Sequence, residues 1–550
     1  MTQSAAAPST VAHLLVDALR KLEIDTLFCI PGVQNDDFFN VLLDARDIQP
    51  IVCRHEQGTA YMAMGASQAS GKPSAACVVP GPGLLNAAGA IYSAFWGGSR
   101  VLQLVGGIPT GLAGKHTGVL HDLDDPTAIL HQLTSHAAAI TSGDRAVETV
   151  QAAINALLTN DPRPVSIETP VDLWTAPVDG HLTAPQMSWP TPTAGAIEQA
   201  AAALANAKQP LILVGSGAYE ASAEVTALAE RLRCPVFTRR QGHGVVDARH
   251  PLWCPLTVGF EFWKTADVVI GIGSRMEWPL MDWGTDDDMT IIQVNTDEAE
   301  LDRHGLGILG VHANAAPAMQ AILDALPSTT SGADQTDLIA QRRADFDQAT
   351  AHLEPQRSYL GAVRDVLPDD GVIVEDVTQM GFAAHLIFEF RQPRTFLTSG
   401  AAGTLGAGVA QAIGAQVGAG SRPVVGLIGD GGFLFTATEL ATAVQHNIPV
   451  TIALFNNNAY GNVKRIQQER FGADRNIASD LVNPDFMTFG ESFGVHTQRV
   501  DSPTDFRTAL EAAVGHDGPS LVVVELDKVS PNPWPFLRGI GQARGKTVPR

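Results

Sequence analysis

The chain has 550 residues, 45% of them hydrophobic, which is enough for several buried cores and three or four domains. Its 36 basic and 58 acidic residues give a net charge of −22, which argues against a nucleic-acid or anionic-membrane surface, because both need clustered Lys and Arg. The five cysteines form no CxxC pair, and no segment has the form of a secretory signal or the length of a membrane span. We therefore expect a cytoplasmic protein with reduced core thiols, in which residues 1–10 form a loose end.

Strands and helices alternate in the first third of the chain. The apolar residues from Thr10 to Leu22 lie on one face of a predicted helix, and the strand predicted from Thr26 to Ile30 closes at a Pro-Gly turn. A second short strand, Pro50 to Cys53, ends just before Glu56, and a helix rich in Ala, Met and Gly follows. This alternation predicts a doubly wound α/β domain.

Two linkers divide the rest of the chain. The Pro-punctuated stretch from Ala184 to Thr193 precedes a second α/β domain, whose strand Pro210 to Val214 runs into Gly215-Ser216-Gly217. The small, polar stretch from Leu326 to Gln335 precedes the third domain, which opens with a predicted helix and the strand Gly371 to Glu375. We predict domains with the boundaries 1–183, 194–326 and 336–550.

The third domain contains a stretch with the features of a phosphate and metal site. A buried strand from Val424 to Ile428 is predicted to end in a tight loop, Gly429 to Gly432, and a helix and a second strand, Val450 to Phe455, follow. Parallel strands joined by a helix bring their carboxyl ends to one sheet edge, so Asp430 should lie close to Asn457. Glycines allow a diphosphate to approach, and carboxylate and amide oxygens are ligands that Mg²⁺ accepts. A plain strand-end turn is the alternative.

Two distant stretches of the chain resemble the same enzyme family. The GDG sequence followed by paired asparagines, and the stretch RHEQGTAYMAMGASQASGKPSAACVVPGPGLLNAAGAI, resemble thiamine diphosphate (ThDP) dependent enzymes of the acetolactate synthase and benzoylformate decarboxylase type. The resemblance implies three doubly wound parallel-sheet domains: a pyrimidine-binding, a central and a diphosphate-binding domain. It also implies that Asp430, Asn457 and the main-chain carbonyl of Ala459 hold Mg²⁺.

The resemblance makes Glu56 the glutamate that activates the cofactor, through a hydrogen bond to N1′ of the aminopyrimidine. A helix cap or an ion pair with Arg54 is the alternative for this carboxylate. Gly403 would offer its carbonyl to the aminopyrimidine amino group. Leu405 would force the bend that brings this amino group to the thiazolium C2, with core packing as the alternative. The implied cofactor-contacting residues are Pro31, Gly32, Pro80, Asn86, Gln379, Gly403, Leu405, Gly429, Asp430, Gly431, Gly432, Asn457, Ala459, Tyr460, Gly461 and Asn462.

Two further features of the first domain are less specific. Pro80 to Gly83 and Asn86 would form a turn below the cofactor, although a plain Pro/Gly turn explains the same residues equally well. In the stretch GKHTGVLHD, His116 matches the second histidine of a His-His pair in pyruvate-type decarboxylases and would relay protons. A solvent-exposed loop histidine is an equally good interpretation.

The resemblance places Gln34, Met380 and Val463 in the substrate pocket. Pyruvate-type decarboxylases carry a glutamate at the position of Val463, and this acid supplies the proton that releases the aldehyde. A pocket without the acid should favour carboligation to a second carbonyl compound. Ile466 and Asn462 stand where acetolactate synthases have a tryptophan and a methionine, so the acceptor is left open.

The central domain of such enzymes sometimes holds FAD or an ADP moiety. Here the strand-end glycines lack a GxGxxG fingerprint, and the sequence RRQGHGVVDARHPLWCPLTVGFEF replaces the glycine-rich consensus of the FAD-binding acetolactate synthases. FAD is therefore possible but not favoured, and a purely structural domain is the alternative.

The resemblance as a whole implies ThDP- and Mg²⁺-dependent decarboxylation of a small 2-oxo acid, with carboligation to a carbonyl acceptor. It also implies a homodimer or homotetramer with active sites at the subunit interface. A non-oxidative decarboxylase or a benzaldehyde lyase-like enzyme is the alternative. A nicotinamide or flavin oxidoreductase would need a dinucleotide fingerprint that we do not find, and a non-catalytic relative is disfavoured by Glu56, Asp430 and Asn457. The C-terminal stretch SPNPWPFLRGIGQARG is expected to run over the surface, closing the site or forming a tail.

Overall fold

Three parallel β-sheets organise the chain. The computed structural model describes residues 10–159, 161–526, 532–533 and 541–548. Each of the three sheets has six strands, and the strand pairs in all three run parallel. These sheets, with helices between their strands, confirm the predicted α/β class. The loose end predicted for residues 1–10 lies, up to residue 9, outside the described residues, as does most of the Pro-rich C-terminal stretch.

The N-terminal sheet is built from six short strands. They are β1 (Thr26–Cys29), β2 (Gln49–Val52), β3 (Ser74–Val78), β4 (Val101–Gly107), β5 (His136–Ala139) and β6 (Val165–Pro170). The helices are α1 (Val11–Lys21), α2 (Asp36–Leu42), α3 (Glu56–Ser70), α4 (Pro82–Trp96), α5 (Pro126–Leu133) and α6 (Gly143–Leu157). The strand order is β2-β1-β3-β4-β6-β5. The winding direction changes between β1 and β3, which is where doubly wound sheets open a crevice.

The central sheet has a different strand order. Its strands are β7 (Pro210–Val214), β8 (Val236–Thr238), β9 (Trp253–Cys254), β10 (Val268–Ile272), β11 (Thr290–Asn295) and β12 (Leu309–His312). Its helices are α7 (Ala194–Asn206), α8 (Ser222–Leu232), α9 (Leu256–Trp263) and α10 (Ala315–Ala325). The order β12-β11-β10-β7-β8-β9 is that of a dinucleotide-binding fold, with the change of direction between β7 and β10.

The C-terminal sheet repeats the order of the N-terminal one. Its strands are β13 (Val372–Glu375), β14 (Phe396–Leu397), β15 (Val424–Gly429), β16 (Thr451–Asn456), β17 (His496–Val500) and β18 (Ser520–Glu525). Its helices are α11 (Thr336–Thr350), α12 (Gln356–Val366), α13 (Gln379–Ile387), α14 (Gly408–Ala419), α15 (Asp430–Thr436), α16 (Leu440–Gln445), α17 (Gly461–Phe471), α18 (Phe486–Ser492) and α19 (Pro503–Val514). The order β14-β13-β15-β16-β18-β17 puts the change of direction between β13 and β15.

Two element boundaries differ from the sequence prediction in ways that matter for the site. Gly429 is the last residue of β15, paired with Phe455, and α15 begins at Asp430, so no separate loop separates this strand from the helix. Asn86, expected in a turn, lies inside α4, because Pro82 stands at the helix start, where its fixed φ and missing N–H are tolerated.

A close crossing of α3 and α14 joins the N-terminal domain to the C-terminal one. A Cβ on Gly414 would lie 1.9 Å from the carbonyl oxygen of Met62, and a Cβ on Gly65 would lie 2.1 Å from the carbonyl oxygen of Gln411. The two helices therefore touch backbone to backbone, which only glycine permits at these positions. One hydrophobic cluster runs through this crossing from sheet to sheet.

Other features of the fold bear on the sequence predictions. All five cysteines are buried and free, as expected for reduced core thiols. In the described ranges, no helix is long and apolar enough to cross a membrane. Residues 541–548 pack on the central domain, where the guanidinium of Arg544 pairs with Asp286 at 2.7 Å.

Candidate active site

The carboxylate of Asp430 lies where β15 and β16 end side by side. Asp430 is 3% exposed; its Oδ2 accepts the N–H of Ala459 at 3.1 Å, and its Oδ1 accepts the N–H of Asn457 at 3.5 Å. The carbonyl oxygen of Ala459 lies 3.7 Å from the place where a Cβ on Gly431 would stand. Asp430, Asn457 and Ala459 thus lie together at one sheet edge, and a carboxylate, an asparagine amide and a main-chain carbonyl offer hard oxygen atoms that suit Mg²⁺.

Asn483, which the sequence did not indicate as a site residue, hydrogen-bonds to the groups at this sheet edge. Its Nδ2 donates to Asp430 Oδ2 at 2.8 Å and lies 3.1 Å and 3.2 Å from the side-chain oxygens of Asn456 and Asn458. Burial raises the pKa of Asp430, and the hydrogen bonds from Asn483 and from backbone N–H groups oppose that rise. A bound dication would favour the ionised carboxylate.

A second buried aspartate ties the loop with Leu405 to the end of β13. Asp376 is 2% exposed; its carboxylate accepts the N–H of Gly406 at 3.0 Å and of Val377 at 2.8 Å. Burial raises the pKa of Asp376 to about 6. Leu405 is half-buried, and its Cδ1 lies 3.2 Å from the place of a Cβ on Gly432. Asp376 therefore connects the predicted cofactor-bending residue to the glycines of α15.

Gly403 lies in the same loop and has open space beside it. Its φ of +58° is in the left-handed region, and nothing stands within 4 Å of the place where its Cβ would be. The hydroxyl of the adjacent Thr404 lies 2.8 Å from the hydroxyl of Ser93 on α4. The loop therefore touches the N-terminal domain while its backbone at Gly403 stays open to a ligand.

A polar network lies at the start of α17. Asn462 Oδ1 accepts from Gln379 Nε2 at 3.2 Å and from Arg465 Nη2 at 2.6 Å, and Arg465 Nη1 donates to Glu469 at 2.7 Å. Arg465 is only 9% exposed. The network connects the first turn of α13 to α17, so Gln379 and Asn462 lie together as expected for one wall of a site.

The three predicted pocket residues have very different surroundings. Val463 is 51% exposed on α17, beside the polar network. Met380 is 1% exposed and belongs to the core formed by α12, α13 and β13, so its apolar side chain does not line an open pocket. Gln34 is buried; its Nε2 donates to the carbonyl of Leu120 at 3.4 Å, and its Oε1 has no partner among the described residues.

Glu56 is the first residue of α3, and its carboxylate faces α4. Its Oε2 accepts from Asn86 Nδ2 at 3.0 Å. The cap of α3 is His55, whose ring accepts a backbone N–H at 3.2 Å, and the guanidinium of Arg54 donates to Gln445 at 2.6 Å. Both alternative roles of Glu56, helix cap and partner of Arg54, are thus taken by other groups.

His116 lies apart from these residues. Its side chain is 72% exposed in the loop between β4 and α5, with φ +49° and Nε2 3.4 Å from Asp124. Among the described residues it forms no hydrogen bond to another predicted site residue. Pro31 and Gly32 follow β1 and Pro80 follows β3, so these three residues border the crevice of the N-terminal sheet.

The candidate residues thus form two groups in one chain, one around Glu56 and one around Asp430. In the part of the chain that the structure describes, no hydrogen bond or ion pair joins Glu56 to Asp430. The residues at the C-terminal sheet edge fit a diphosphate held through Mg²⁺, because they combine a buried carboxylate, amide and carbonyl oxygens and glycines without a Cβ. The residues around Glu56 fit an aminopyrimidine, which needs one carboxylate to share a proton.

A separate cavity of about 890 Å³ lies where all three domains meet. It opens at the carboxyl ends of β7 and β10, where Gly217 and Gly273 approach each other so closely that a Cβ on Gly273 would lie 2.4 Å from the Gly217 carbonyl carbon. The guanidinium of Arg239 stacks on Trp278 at 4.3 Å, and that of Arg275 lies 5.4 Å from the ring of Trp96. This basic, aromatic cavity has the size of a small-molecule site.

Comparisons with known proteins agree with this geometry. The profile described as thiamine pyrophosphate enzyme, N-terminal TPP binding domain, matches residues 9–129. The profile of the central domain matches residues 197–322, and that of the C-terminal TPP binding domain matches residues 376–524. The profiles of one enzyme family therefore match the whole central sheet and most strands of the other two sheets.

Relatives match over nearly the whole chain. The probable 2-ketoarginine decarboxylase AruI of Pseudomonas aeruginosa is 31% identical, over 93% of this chain and 93% of its own length. The probable acetolactate synthase large subunit of Methanocaldococcus jannaschii is 30% identical, over 94% and 92%, and the acetolactate synthase isozyme 2 large subunit of Escherichia coli is 27% identical, over 96% and 97%. The chain therefore belongs to the thiamine pyrophosphate enzymes and is an acetolactate synthase-like, ThDP-dependent carboligase or decarboxylase.

Proposed function

We propose that this enzyme uses ThDP and Mg²⁺ to decarboxylate a small 2-oxo acid and joins the remaining acyl group to a second carbonyl compound. The observation that carries the proposal is the convergence of Asp430, Asn457 and Ala459 at the carboxyl ends of β15 and β16. When bound, ThDP would supply a nucleophilic carbon for addition to the ketone and a positively charged thiazolium ring to take up the electron pair that remains when CO₂ leaves.

The chain's own residues would bind and orient the cofactor. Asp430, the Asn457 amide and the Ala459 carbonyl would hold Mg²⁺, and the glycines around Asp430 would let the diphosphate approach the backbone. Glu56, oriented by Asn86, would hold the proton at N1′ of the aminopyrimidine. Leu405 would support the bend between the two rings, from a loop that Asp376 fixes.

The surroundings of Val463 support carboligation over simple aldehyde release. The first turn of α17 contains no acidic residue. Val463 and Ile466 are 51% and 44% exposed, so an acceptor molecule would pack against these apolar side chains and displace water from them. Val463 itself cannot deliver a proton, and the ammonium group of Lys464 in the same turn is paired with Asp480, so the acyl group should persist until a carbonyl acceptor arrives.

A non-oxidative decarboxylase is the second candidate, and two observations favour it. The relative from Pseudomonas aeruginosa is named a 2-ketoarginine decarboxylase. The network of Gln379, Asn462 and Arg465 also gives this wall polar groups that suit a donor acid with a polar side chain. A benzaldehyde lyase-like reaction, the reverse of carboligation, is a variant of the first candidate.

CO₂ release from a panel of 2-oxo acids tests the proposal. Wild type and Glu56→Gln would be assayed with ThDP and Mg²⁺, with and without an aldehyde acceptor. We expect release by the wild type, a large loss in the variant and a hydroxy ketone product when the acceptor is present. Aldehyde as the sole product would identify a decarboxylase, and cleavage of hydroxy ketones alone would identify a lyase. No turnover of any of these substrates would refute the proposal.

We further propose that two chains complete each site, as a homodimer or a homotetramer. Large apolar side chains are exposed on two helices next to Glu56 and Asp430. They are Leu85 (50%) and Tyr92 (44%) on α4, and Leu434 (45%) and Phe435 (49%) on α15. A second copy would bury them and bring its Glu56 to the Asp430 edge of the first chain.

Subunit complementation tests this arrangement. Glu56→Gln and Asp430→Ala would each be inactive, and mixing them under exchange would restore one intact site in each mixed dimer. Random pairing of equal amounts gives about a quarter of the wild-type activity if sites are shared between chains. If both residues serve the same chain's site, mixing restores nothing.

The sequence does not favour FAD, but we propose a nucleotide with a diphosphate as the ligand to test in the cavity between the three domains, because this cavity joins strand-end glycines at the switch point to guanidinium groups that lie against aromatic rings. FAD and an ADP moiety share this chemistry. The absorbance of the purified protein and mass spectrometry of the supernatant after heat denaturation would separate them. A colourless protein that releases no adenine nucleotide, and whose thermal stability is unchanged by added FAD or ADP, would refute this proposal.

A further inference from the structure

The two residues before Glu56 are hydrogen-bonded to a buried carboxylate of the C-terminal domain. Glu439, between α15 and α16, is 0% exposed. Its Oε1 accepts the N–H of His55 at 3.0 Å, and both of its oxygens lie 3.1 to 3.2 Å from the N–H of Arg54. The hydroxyl of Thr442 donates to Oε2 at 2.6 Å. The residues that Glu439 holds are the two that immediately precede Glu56.

The space around this carboxylate shows how closely it fits. A Cβ on Gly58 would lie 2.1 Å from Oε1 of Glu439 and 2.6 Å from its Cδ, so the first turn of α3 packs directly on the carboxylate. Charge-assisted hydrogen bonds to backbone N–H groups are stronger than neutral ones, and a carboxylate at a helix N-terminus also gains from the helix dipole.

The guanidinium group of Arg54 does not form an ion pair with Glu439. The guanidinium of the nearby Arg54 donates to Gln445 instead, at 2.6 Å. Burial raises the pKa of Glu439, and the hydrogen bonds from Thr442 and from the backbone N–H groups of Arg54 and His55 oppose that rise. Burying a carboxylate without a cation is costly, so a packing role alone would be served better by an apolar residue of similar size.

We propose that Glu439 is a positioning residue for Glu56, which fixes the turn from Arg54 to His55 so that the Glu56 carboxylate meets the aminopyrimidine. This inference rests on the proposed function, because it needs Glu56 to be the group that shares the cofactor's proton. Glu439 itself touches neither cofactor nor substrate; it acts by holding two backbone N–H groups.

The test measures hydrogen–deuterium exchange at C2 of ThDP, bound with Mg²⁺ to the full-length protein, by acid quench and NMR. Four proteins are compared: wild type, Glu439→Gln, Glu56→Gln and the double variant. A displacement of 1 Å can cost about a hundredfold in rate, so we expect Glu439→Gln to slow exchange at least about tenfold. We expect the double variant to exchange as slowly as Glu56→Gln alone, because Glu439 acts only through Glu56.

Matched controls separate positioning from folding. Gln445→Ala removes the exposed partner of Arg54 in the same segment and should leave exchange within about twofold of the wild-type rate, since surface changes are small. ThDP affinity and the thermal midpoint are measured for each protein, and Glu439→Asp, which keeps the charge, should recover part of the rate. If Glu439→Gln does not fold, Thr442→Val, which removes the hydroxyl bond to Oε2 at 2.6 Å and a longer one to the Val52 carbonyl at 3.4 Å, should slow exchange to a smaller extent.

The outcomes are distinguishable. Exchange in Glu439→Gln within about twofold of wild type, or effects of the two substitutions that add in the double variant, would overturn the inference while leaving the proposed function intact. Unchanged exchange in Glu56→Gln would instead overturn the proposed role of Glu56, and the inference with it.

Discussion

The crossing of α3 and α14 should be very sensitive to a single added methyl group, and Gly414→Ala tests this. A Cβ at this position would lie 1.9 Å from the carbonyl oxygen of Met62 and 2.4 Å from its carbonyl carbon, about 1.1 Å short of the 3.0 Å that real Cβ contacts keep. The opposing atoms belong to the backbone of α3, so no side-chain rotation can relieve the contact. The two helices must move apart by about that distance.

The cost follows from overpacking a rigid interface. Extra methyl groups in well-packed cores cost about 1 to 3 kcal/mol, and two opposing backbones place Gly414→Ala at the upper end. For a large domain, about 3 kcal/mol corresponds to a midpoint lower by about 5 °C or more. The displacement should also reduce activity, since α3 begins at Glu56 and α14 follows the loop of Leu405.

Scanning calorimetry of the variant and a matched control checks this magnitude. Gly361 is an exposed glycine in α12 with nothing within 4 Å of its Cβ position, so Gly361→Ala should raise stability by up to about 1 kcal/mol through helix propensity. Because the chain has several domains, the transition midpoints are compared and no single unfolding free energy is derived. A midpoint for Gly414→Ala within about 1 °C of wild type would refute the backbone-contact reasoning.

Three further predictions concern the site. Asp430→Ala should weaken Mg²⁺-dependent ThDP binding more than about a hundredfold by calorimetric titration, since even partners outside the ligand shell change metal affinity by up to that factor; unchanged affinity would contradict the metal assignment. Val463→Glu should raise the ratio of aldehyde to ligation product in an acceptor-containing assay, and an unchanged ratio would exclude proton delivery from this position. The raised pKa of Asp376, about 6 against a usual 3.8, stabilises the fold below about pH 4, and this contribution is lost as the pH rises through 6. Asp376→Asn keeps a side-chain acceptor but does not titrate, so its thermal midpoint should fall less than that of wild type from pH 4 to 7. Parallel plots of midpoint against pH for the two proteins would contradict the shift.

Much of the fold can be read from short apolar runs that end in glycine. The strand predicted from Pro210 to Val214 has the same bounds in the structure, because five apolar residues are followed at once by Gly215. The start of α15 was predicted wrongly as a loop, because glycines are poor helix formers. In the structure a Cβ on Gly431 would lie 2.7 Å from the Tyr460 ring, so tertiary packing selects glycine in this helix.

One topological rule predicts the part of the site that lies at the carboxyl ends of neighbouring strands. Asp430 and Asn457 follow from the rule that neighbouring parallel strands end at one edge. The same rule applies to Asp376, directly after β13, and could have identified it. Asn483 lies 27 residues beyond Asn456 in sequence, with no motif around it, and only the path of the chain brings it to Asp430. The domain boundaries and the roles of the site residues stay predictions.

The repeated strand order accounts for the placement of the two groups of candidate residues, around Glu56 and around Asp430. In the N-terminal and C-terminal sheets, the second and third strands in chain order are joined by equivalent helices, α3 and α14, and these two helices bury their small residues against each other. The next equivalent helices, α4 and α15, start at Pro82 and Asp430 and leave large apolar side chains exposed. A chain that pairs its two related domains through α3 and α14 therefore turns α4 and α15 outward. In the proposed dimer, the Asn86–Glu56 pair of one copy would meet the Asp430 edge of the other, which is the arrangement that subunit complementation would detect.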